Sequence, residues 1–247
     1  MIRNTLVIFL LSLMAFKPAP RQVTVYMIGD STMSIKEKKA YPETGWGMPF
    51  ASYFDTTITV DNRAKNGRST RTFITEGLWQ PVADGMKAGD YLLIQFGHND
   101  EVPTKKSFTT EGEFRKNLNL FITVAKSKQA IPVLITPVAR RKFDSTGHVV
   151  QTHAVYAQIV RDVAKQAKVP LIDLDTKSQA LLQKLGPESS KFLYNHLEPG
   201  QNPHYTKGNQ DNTHFSELGA RRMAELVMQS LQELNLELAG HITKARS

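Results

Sequence analysis

Five short stretches of the chain are apolar throughout: 23–28 (VTVYMI), 57–60 (TITV), 91–96 (YLLIQF), 131–136 (IPVLIT) and 169–174 (VPLIDL). Each closes on Gly, Asp or Pro. A strand with no polar face is one covered on both faces, the pattern of a parallel sheet between helices. Helical stripes fill the intervals. Phe114, Leu118, Phe121, Ile122 and Ala125 repeat at helix spacing behind a Thr110-x-x-Glu113 capping box. Val155, Ile159, Val163, Ala164 and Ala167 form a second stripe, and Leu218, Leu226, Val227, Leu231 and Leu234 a third. Strands alternating with helices predict an α/β fold with one doubly wound, five-stranded parallel sheet. Residues 193–210 read as a long polar loop, a kind that is usually functional or disordered. No repeat, linker or low-complexity tract divides the chain.

The first twenty residues follow another pattern. Residues 5–16 (TLVIFLLSLMAF) are almost purely apolar, after a short segment with one positive charge and before Lys-Pro-Ala-Pro. A dozen apolar residues are too few to span a bilayer comfortably, but they match the core of a signal peptide. The expectation is a signal peptide at 1–20, one domain at 21–247, and a secreted or periplasmic protein with no stable membrane anchor after signal removal. The chain has no Cys. That excludes a thiolate metal site, a cysteine nucleophile and disulfide stapling. A length of 247 residues and 40% hydrophobic content exclude a disordered chain. The net charge is +8, or +6 without residues 1–20, which hold Arg3, Lys17 and no acid. Such a charge suits an anionic partner.

In doubly wound sheets ligands bind at the carboxyl ends of the strands. The residues there are Gly29-Asp30-Ser31-Thr32, then Asn62 through Ser69 with Gly67 among them, then Gly97-His98-Asn99-Asp100. Asp211-Asn212-Thr213-His214 precedes the last helical stripe. Taken singly, Asp30-Ser31 could cap a helix, Asn62 is an ordinary turn residue, and His98 with Asp100 is a plausible hydrogen-bonding pair. Together they make sense as an acyl-transfer site. A serine needs a base to take its proton, and the base needs a carboxylate to hold its tautomer. Ser31, His214 and Asp211 supply the three groups. Ser31 is expected at a strand-to-helix turn, near a helix N-terminus that favours a developing anion. The Ser31 and Gly67 N–H groups and the Asn99 amide are candidate donors to that anion.

These four blocks resemble those of the SGNH (GDSL) hydrolases. The match is closer to the rhamnogalacturonan acetylesterases, through Asn62–Ser69, Phe96–Asp100, Thr136-Pro137-Val138 with Arg140-Arg141-Lys142-Phe143, Leu197–Gly200 and Gln210–His214. The resemblance covers about residues 22 to 235. It implies a three-layer α/β/α flavodoxin-like fold. It also implies Ser31 as nucleophile, His214 as base, Asp211 as orienting acid, and Ser31, Gly67 and Asn99 as the oxyanion hole. Asp30, Asn62, His98 and Asp100 are supporting residues. The first block runs Ser-Thr where many family members have Ser-Leu.

Other readings fit less well. A metallophosphoesterase needs a Gly-Asp-x-His order and clustered metal ligands, and Ser31-Thr32 follows Asp30 here. No Gly-x-Ser-x-Gly elbow and no phosphate-binding Gly-x-x-x-x-Gly-Lys loop occurs. A non-catalytic carbohydrate- or nucleic-acid-binding module leaves Ser31, Asp211 and His214 without a role. The expectation is a serine acetylesterase acting on pectic rhamnogalacturonan, or alternatively on acetylated xylan, peptidoglycan or a lipid ester. It needs no cofactor or metal and binds no nucleic acid. Arg68, Arg71, Arg140, Arg141 and Lys142 follow the strand ends and are candidates for galacturonate carboxylates. Tyr41 and Tyr205 are candidates to stack on sugar rings, and Trp46 is expected in the core. Oligomeric state is left open.

Overall fold

A computed structural model of the chain describes residues 22–243. The signal peptide expected at 1–20 lies outside them. Five parallel strands form one sheet: β1 (Val23–Gly29), β2 (Ile58–Asn62), β3 (Tyr91–Gln95), β4 (Ile131–Ile135) and β5 (Leu171–Ile172). Their order is β2-β1-β3-β4-β5. Side chains alternate across the sheet, so each apolar strand feeds two cores. Val25, Met27, Leu93, Val133 and Ile135 point into one. Tyr26, Ile28, Leu92, Ile94 and Leu134 point into the other.

The first core is covered by α1 (Gly47–Phe50), α6 (Leu174–Ser189) and α7 (Glu217–Glu233). The second lies under α2 (Thr70–Thr75), α3 (Trp79–Gly85), α4 (Glu111–Ser127) and α5 (Ala154–Ala167). This is the expected three-layer arrangement. The α4 stripe is buried as predicted, and the Thr110 hydroxyl accepts from the Glu113 N–H. Phe121 packs against Trp79 and Phe96 with no exposure, and its truncation to Ala should cost about 3–5 kcal/mol.

Three local expectations need correction. The fifth strand is only two residues long, because Asp173 caps α6 and the chain turns helical at Leu174. Val155, Leu218 and Leu234 are exposed, and the buried stripe of α7 runs through Ala220, Met223, Ala224, Val227 and Leu231. Residues 193–210 are not one loop. β6 (Tyr194–Leu197) and β7 (Asn209–Phe215) pair as an antiparallel hairpin, and only 198–208 connect them irregularly.

The sheet order reverses between β1 and β3. The chain goes from β1 outward to β2, then returns to place β3 on the other side of β1. Such a switch point leaves a crevice at the strand ends. Gly29 at the end of β1 lies level with Gln95 of β3, and a Cβ on Gly29 would sit 2.6 Å from the Gln95 carbonyl. Ser31 and Asn99 emerge from these two neighbouring strands.

Candidate active site

After β1 the chain makes one tight turn. The Met33 and Ser34 N–H groups donate to the Asp30 carbonyl. The Asp30 carboxylate accepts from the Thr32 N–H at 2.9 Å and the Thr32 hydroxyl at 2.8 Å. A short side chain that takes up backbone N–H groups competes with helix formation. No helix follows, so Ser31 does not sit at a helix N-terminus. Asp30 is buried, and desolvation raises its pKa while the Thr32 bonds oppose the rise.

The turn is held by other means. Asn62 donates to the Met33 carbonyl at 2.9 Å and accepts from the Ala64 N–H, joining the Ser31 turn to the segment after β2. Gln95 accepts from the Trp46 indole and donates to the Thr32 hydroxyl, and Trp46 is fully buried. Lys36 is the residue that sequence reasoning missed. Its ammonium donates to the Ser31 carbonyl at 2.6 Å and to Asn66 Oδ1 at 2.9 Å, and pairs with Glu43 at 2.7 Å. Its side chain is 2% exposed. Desolvation lowers its pKa, against the pull of Glu43.

Ser31 Oγ lies 2.8 Å from His214 Nε2. His214 Nδ1 lies 2.7 Å from Asp211 Oδ2. The other Asp211 oxygen accepts the backbone N–H groups of Thr213 at 2.7 Å and His214 at 2.9 Å. Burial alone would raise the Asp211 pKa. The His214 ring and these two amides outweigh burial and carry it down to about 2. A carboxylate that stays ionised fixes the ring with Nε2 toward the serine. Strand β7 holds Asp211 and His214, and Ser216 caps α7 two residues later.

Gly67 has φ +75°, a conformation that disfavours side chains, and faces open space. Among the described residues, neither the Ser31 nor the Gly67 N–H donates to a partner. The Asn99 amide nitrogen donates to the Arg68 carbonyl at 3.1 Å, and its oxygen accepts from Lys105 at 3.2 Å. An ammonium on the oxygen fixes which end of the amide is the donor. Asn99 therefore keeps a second N–H. Ser31, Gly67, Asn99, Asp211 and His214 line one hollow of about 480 Å³, with Glu43, Asn66, His98, Lys105, Arg140 and Thr213.

The supporting residues have distinct places. Asp100 is buried under α2, where it accepts the Thr70 N–H at 2.9 Å and hydroxyl at 2.6 Å, and desolvation pushes its pKa up to about 7. His98 is buried with its ring 4.3 Å from that of His153. Desolvation, then the neighbouring His153 and Arg140 charges, hold its pKa well below the usual histidine value. His153 Nδ1 lies 2.9 Å from both oxygens of Glu101.

The expected arginines are occupied inside the protein. Arg68 pairs with Glu76, and Arg71 donates to the Lys106 carbonyl. Arg141 bonds Asn212, Ser190 and the Pro187 carbonyl, tying β7 to the end of α6. Arg140 alone of the four lines the hollow, and its guanidinium holds Thr213, the His98 carbonyl and Glu101. Lys105, which the sequence reading passed over, is the second cation on its rim. Among the described residues, no group of three or more His, Asp or Glu side chains is placed to hold a metal ion. No helix there is long and apolar enough to cross a membrane.

A parallel sheet with a switch point carries a serine–histidine–aspartate hydrogen-bond chain across it, an arrangement suited to acyl transfer. Residues 27–222 match the model of the GDSL-like lipase/acylhydrolase family, and the chain belongs to that family, a class of carboxylic ester hydrolases. It is 42% identical to rhamnogalacturonan acetylesterase RhgT of Bacillus subtilis (strain 168), over 90% of this chain and 95% of that one. The crystal structure of protein YxiM from Bacillus subtilis superposes with a TM-score of 0.76 at 30% identity, over 87% of this chain and 58% of that one. Axe2, an acetylxylan esterase from Geobacillus stearothermophilus, shares the fold, with a TM-score of 0.61 at 17% identity over 92% and 98% of the two chains.

Proposed function

We propose that this protein is an exported serine esterase that removes O-acetyl groups from pectic rhamnogalacturonan. The observation that carries the reading is the unbroken hydrogen-bond chain Ser31–His214–Asp211, opening into a hollow with unused oxyanion donors. Ser31 Oγ attacks the acetyl carbonyl carbon as its proton passes to His214 Nε2. The carbonyl oxygen takes up negative charge and accepts from the Ser31 and Gly67 N–H groups and the Asn99 amide. The bond to the sugar oxygen then breaks, and His214 gives its proton to that oxygen. Water enters, His214 takes a proton from it, and the hydroxide attacks the acetyl-serine. Acetate leaves and the proton returns to Ser31 Oγ. Asp211 holds the imidazolium through both halves without taking a proton.

Similarity to RhgT supports the pectic substrate. So do Arg140 and Lys105, two cations that line the hollow beside Glu43 and Asp211 and can meet galacturonate carboxylates. The apolar run at 5–16 supports export. Acetate release from acetylated rhamnogalacturonan, xylan and peptidoglycan, measured side by side, tests the assignment. Rhamnogalacturonan should be the best substrate, and a clear preference for either of the others would refute the pectic reading. EDTA should leave the rate unchanged.

A further inference from the structure

The segment from the Ser31 turn into α1 displays apolar side chains to solvent. Ile35 is 61% exposed, Tyr41 56% and Met48 37%. Large exposed apolar groups gathered in one place mark a binding surface more often than scattered ones do. Here Tyr41 and Met48 line a hollow of about 390 Å³, together with Lys36, Glu37, Lys38, Glu43, Thr44 and His204. Glu43 also lines the catalytic hollow, so the two share a wall.

The hollow is built on fixed backbone. The Tyr205 hydroxyl donates to the Ala40 carbonyl at 2.9 Å, and Asn202 donates to the Tyr41 carbonyl at 3.3 Å. The Thr44 N–H donates to the Phe215 carbonyl at 2.9 Å, one residue past His214. Lys36 anchors the near end through Glu43. Tyr41 is thus an aromatic ring in solvent on a backbone tied to the β6–β7 connection. An aromatic face meets the C–H face of a sugar, while nearby polar groups bond its hydroxyls. Lys38, His204, Thr44 and the carboxylates of Glu37 and Glu43 are polar groups of this hollow.

We propose that this hollow is a glycan subsite, which takes a pyranose ring of the substrate chain neighbouring the acetylated sugar and stacks it on Tyr41. The proposal rests on the acetyl-glycan reading of the catalytic hollow and adds the direction in which the polymer leaves it. It assigns Tyr205 the part of bracing the ring's loop.

Tyr41→Ala and Tyr41→Trp test it in the full chain, since an exposed side chain can be replaced without disturbing the core. The quantity to follow is the ratio of kcat/KM on an acetylated rhamnogalacturonan oligosaccharide to that on p-nitrophenyl acetate. Tyr41→Ala should lower this ratio on the order of threefold to tenfold, through KM on the oligosaccharide. Tyr41→Trp should keep it. A deacetylated oligosaccharide should inhibit hydrolysis of the small ester, and Tyr41→Ala should weaken that inhibition by a similar factor. An unchanged ratio for Tyr41→Ala, with the oligosaccharide still turned over, overturns the subsite and leaves the acetyl-glycan reading standing. If the unaltered enzyme cleaves p-nitrophenyl acetate but releases no acetate from any glycan, both fall together.

Discussion

Two imidazole–carboxylate pairs sit at the same edge of the sheet. His214 and Asp211 are 2.7 Å apart, and His153 and Glu101 are 2.9 Å apart. Only one of them meets a serine hydroxyl. The His214 side chain is 28% exposed and its free nitrogen meets Ser31, whereas the His153 side chain is wholly buried with its ring against His98. The difference teaches that the pair is a building part and that access and a nucleophile make it catalytic. The second pair has a structural use. Glu101 also holds Arg140, whose guanidinium bonds Thr213 and the His98 carbonyl and so forms one wall of the catalytic hollow.

Substitution can break this comparison most directly at the nucleophile. Ser31→Ala or His214→Ala should each lower kcat by on the order of 10⁴ to 10⁶ while the thermal midpoint barely moves. His153→Phe should leave kcat within about tenfold. A His153→Phe protein as inactive as His214→Ala would mean the two pairs work as one unit.

The surroundings sharpen the contrast. Lys36→Met leaves Glu43 without its buried partner, which should cost about 3–5 kcal/mol in denaturant unfolding. It also frees the Ser31 carbonyl, so kcat should fall in the protein that remains folded. No comparable tie joins His153 to a nucleophile. Asn99→Ala should cost roughly 10²–10³ in kcat with KM little changed, because the amide acts on the charged intermediate. A rise in KM with kcat intact would make Asn99 a substrate-binding group.

Much of this was legible in the sequence for a physical reason. A parallel strand must be apolar on both faces, so all five strands stood out. Ligands bind at the carboxyl ends of parallel strands, so Ser31 and Asn99 could be read from position as well as type, while His214 was read from its spacing to Asp211 ahead of the last helical stripe. The hairpin β6–β7 was not legible, because β7 is polar along nearly its whole length and carries Asp211 and His214. Lys36 was hidden more deeply. Alone it looks like a solvated charge, and its burial comes from contacts with Asn66, 30 residues on, and with Glu43 across an irregular segment. Of the arginines, Arg140 lines the hollow, while Arg68, Arg71 and Arg141 make bonds within the protein, since basic residues after strands also tie loops down.

The smaller effects concern acidity. Asp100 and Asp211 are shifted in opposite directions, to about 7 and about 2. A carboxyl with a raised folded pKa holds its proton more tightly in the fold than unfolded. Asp100 therefore favours the fold most below about pH 4, and that contribution is lost as the pH climbs to about 7. Asp211 does the reverse: its contribution is present above about pH 4 and is lost as the pH falls toward 2. Asp100→Asn should flatten the decline of stability between about pH 4 and 7, as read from denaturant midpoints. An unchanged slope would mean that Asp100 is ionised in the fold across that range. Glu101→Gln, which leaves the His153 contact neutral, should move stability least and activity hardly at all.

The Ser31–His214 contact spans 183 residues of chain. A ribosome adding about 5–20 residues per second takes roughly ten to forty seconds to cover that distance. For nearly all of that interval Ser31 exists without His214, Asp211 or strand β7. On the proposed mechanism the growing polypeptide is inert toward esters until β7 is made, and reactivity arrives as a single event rather than by degrees.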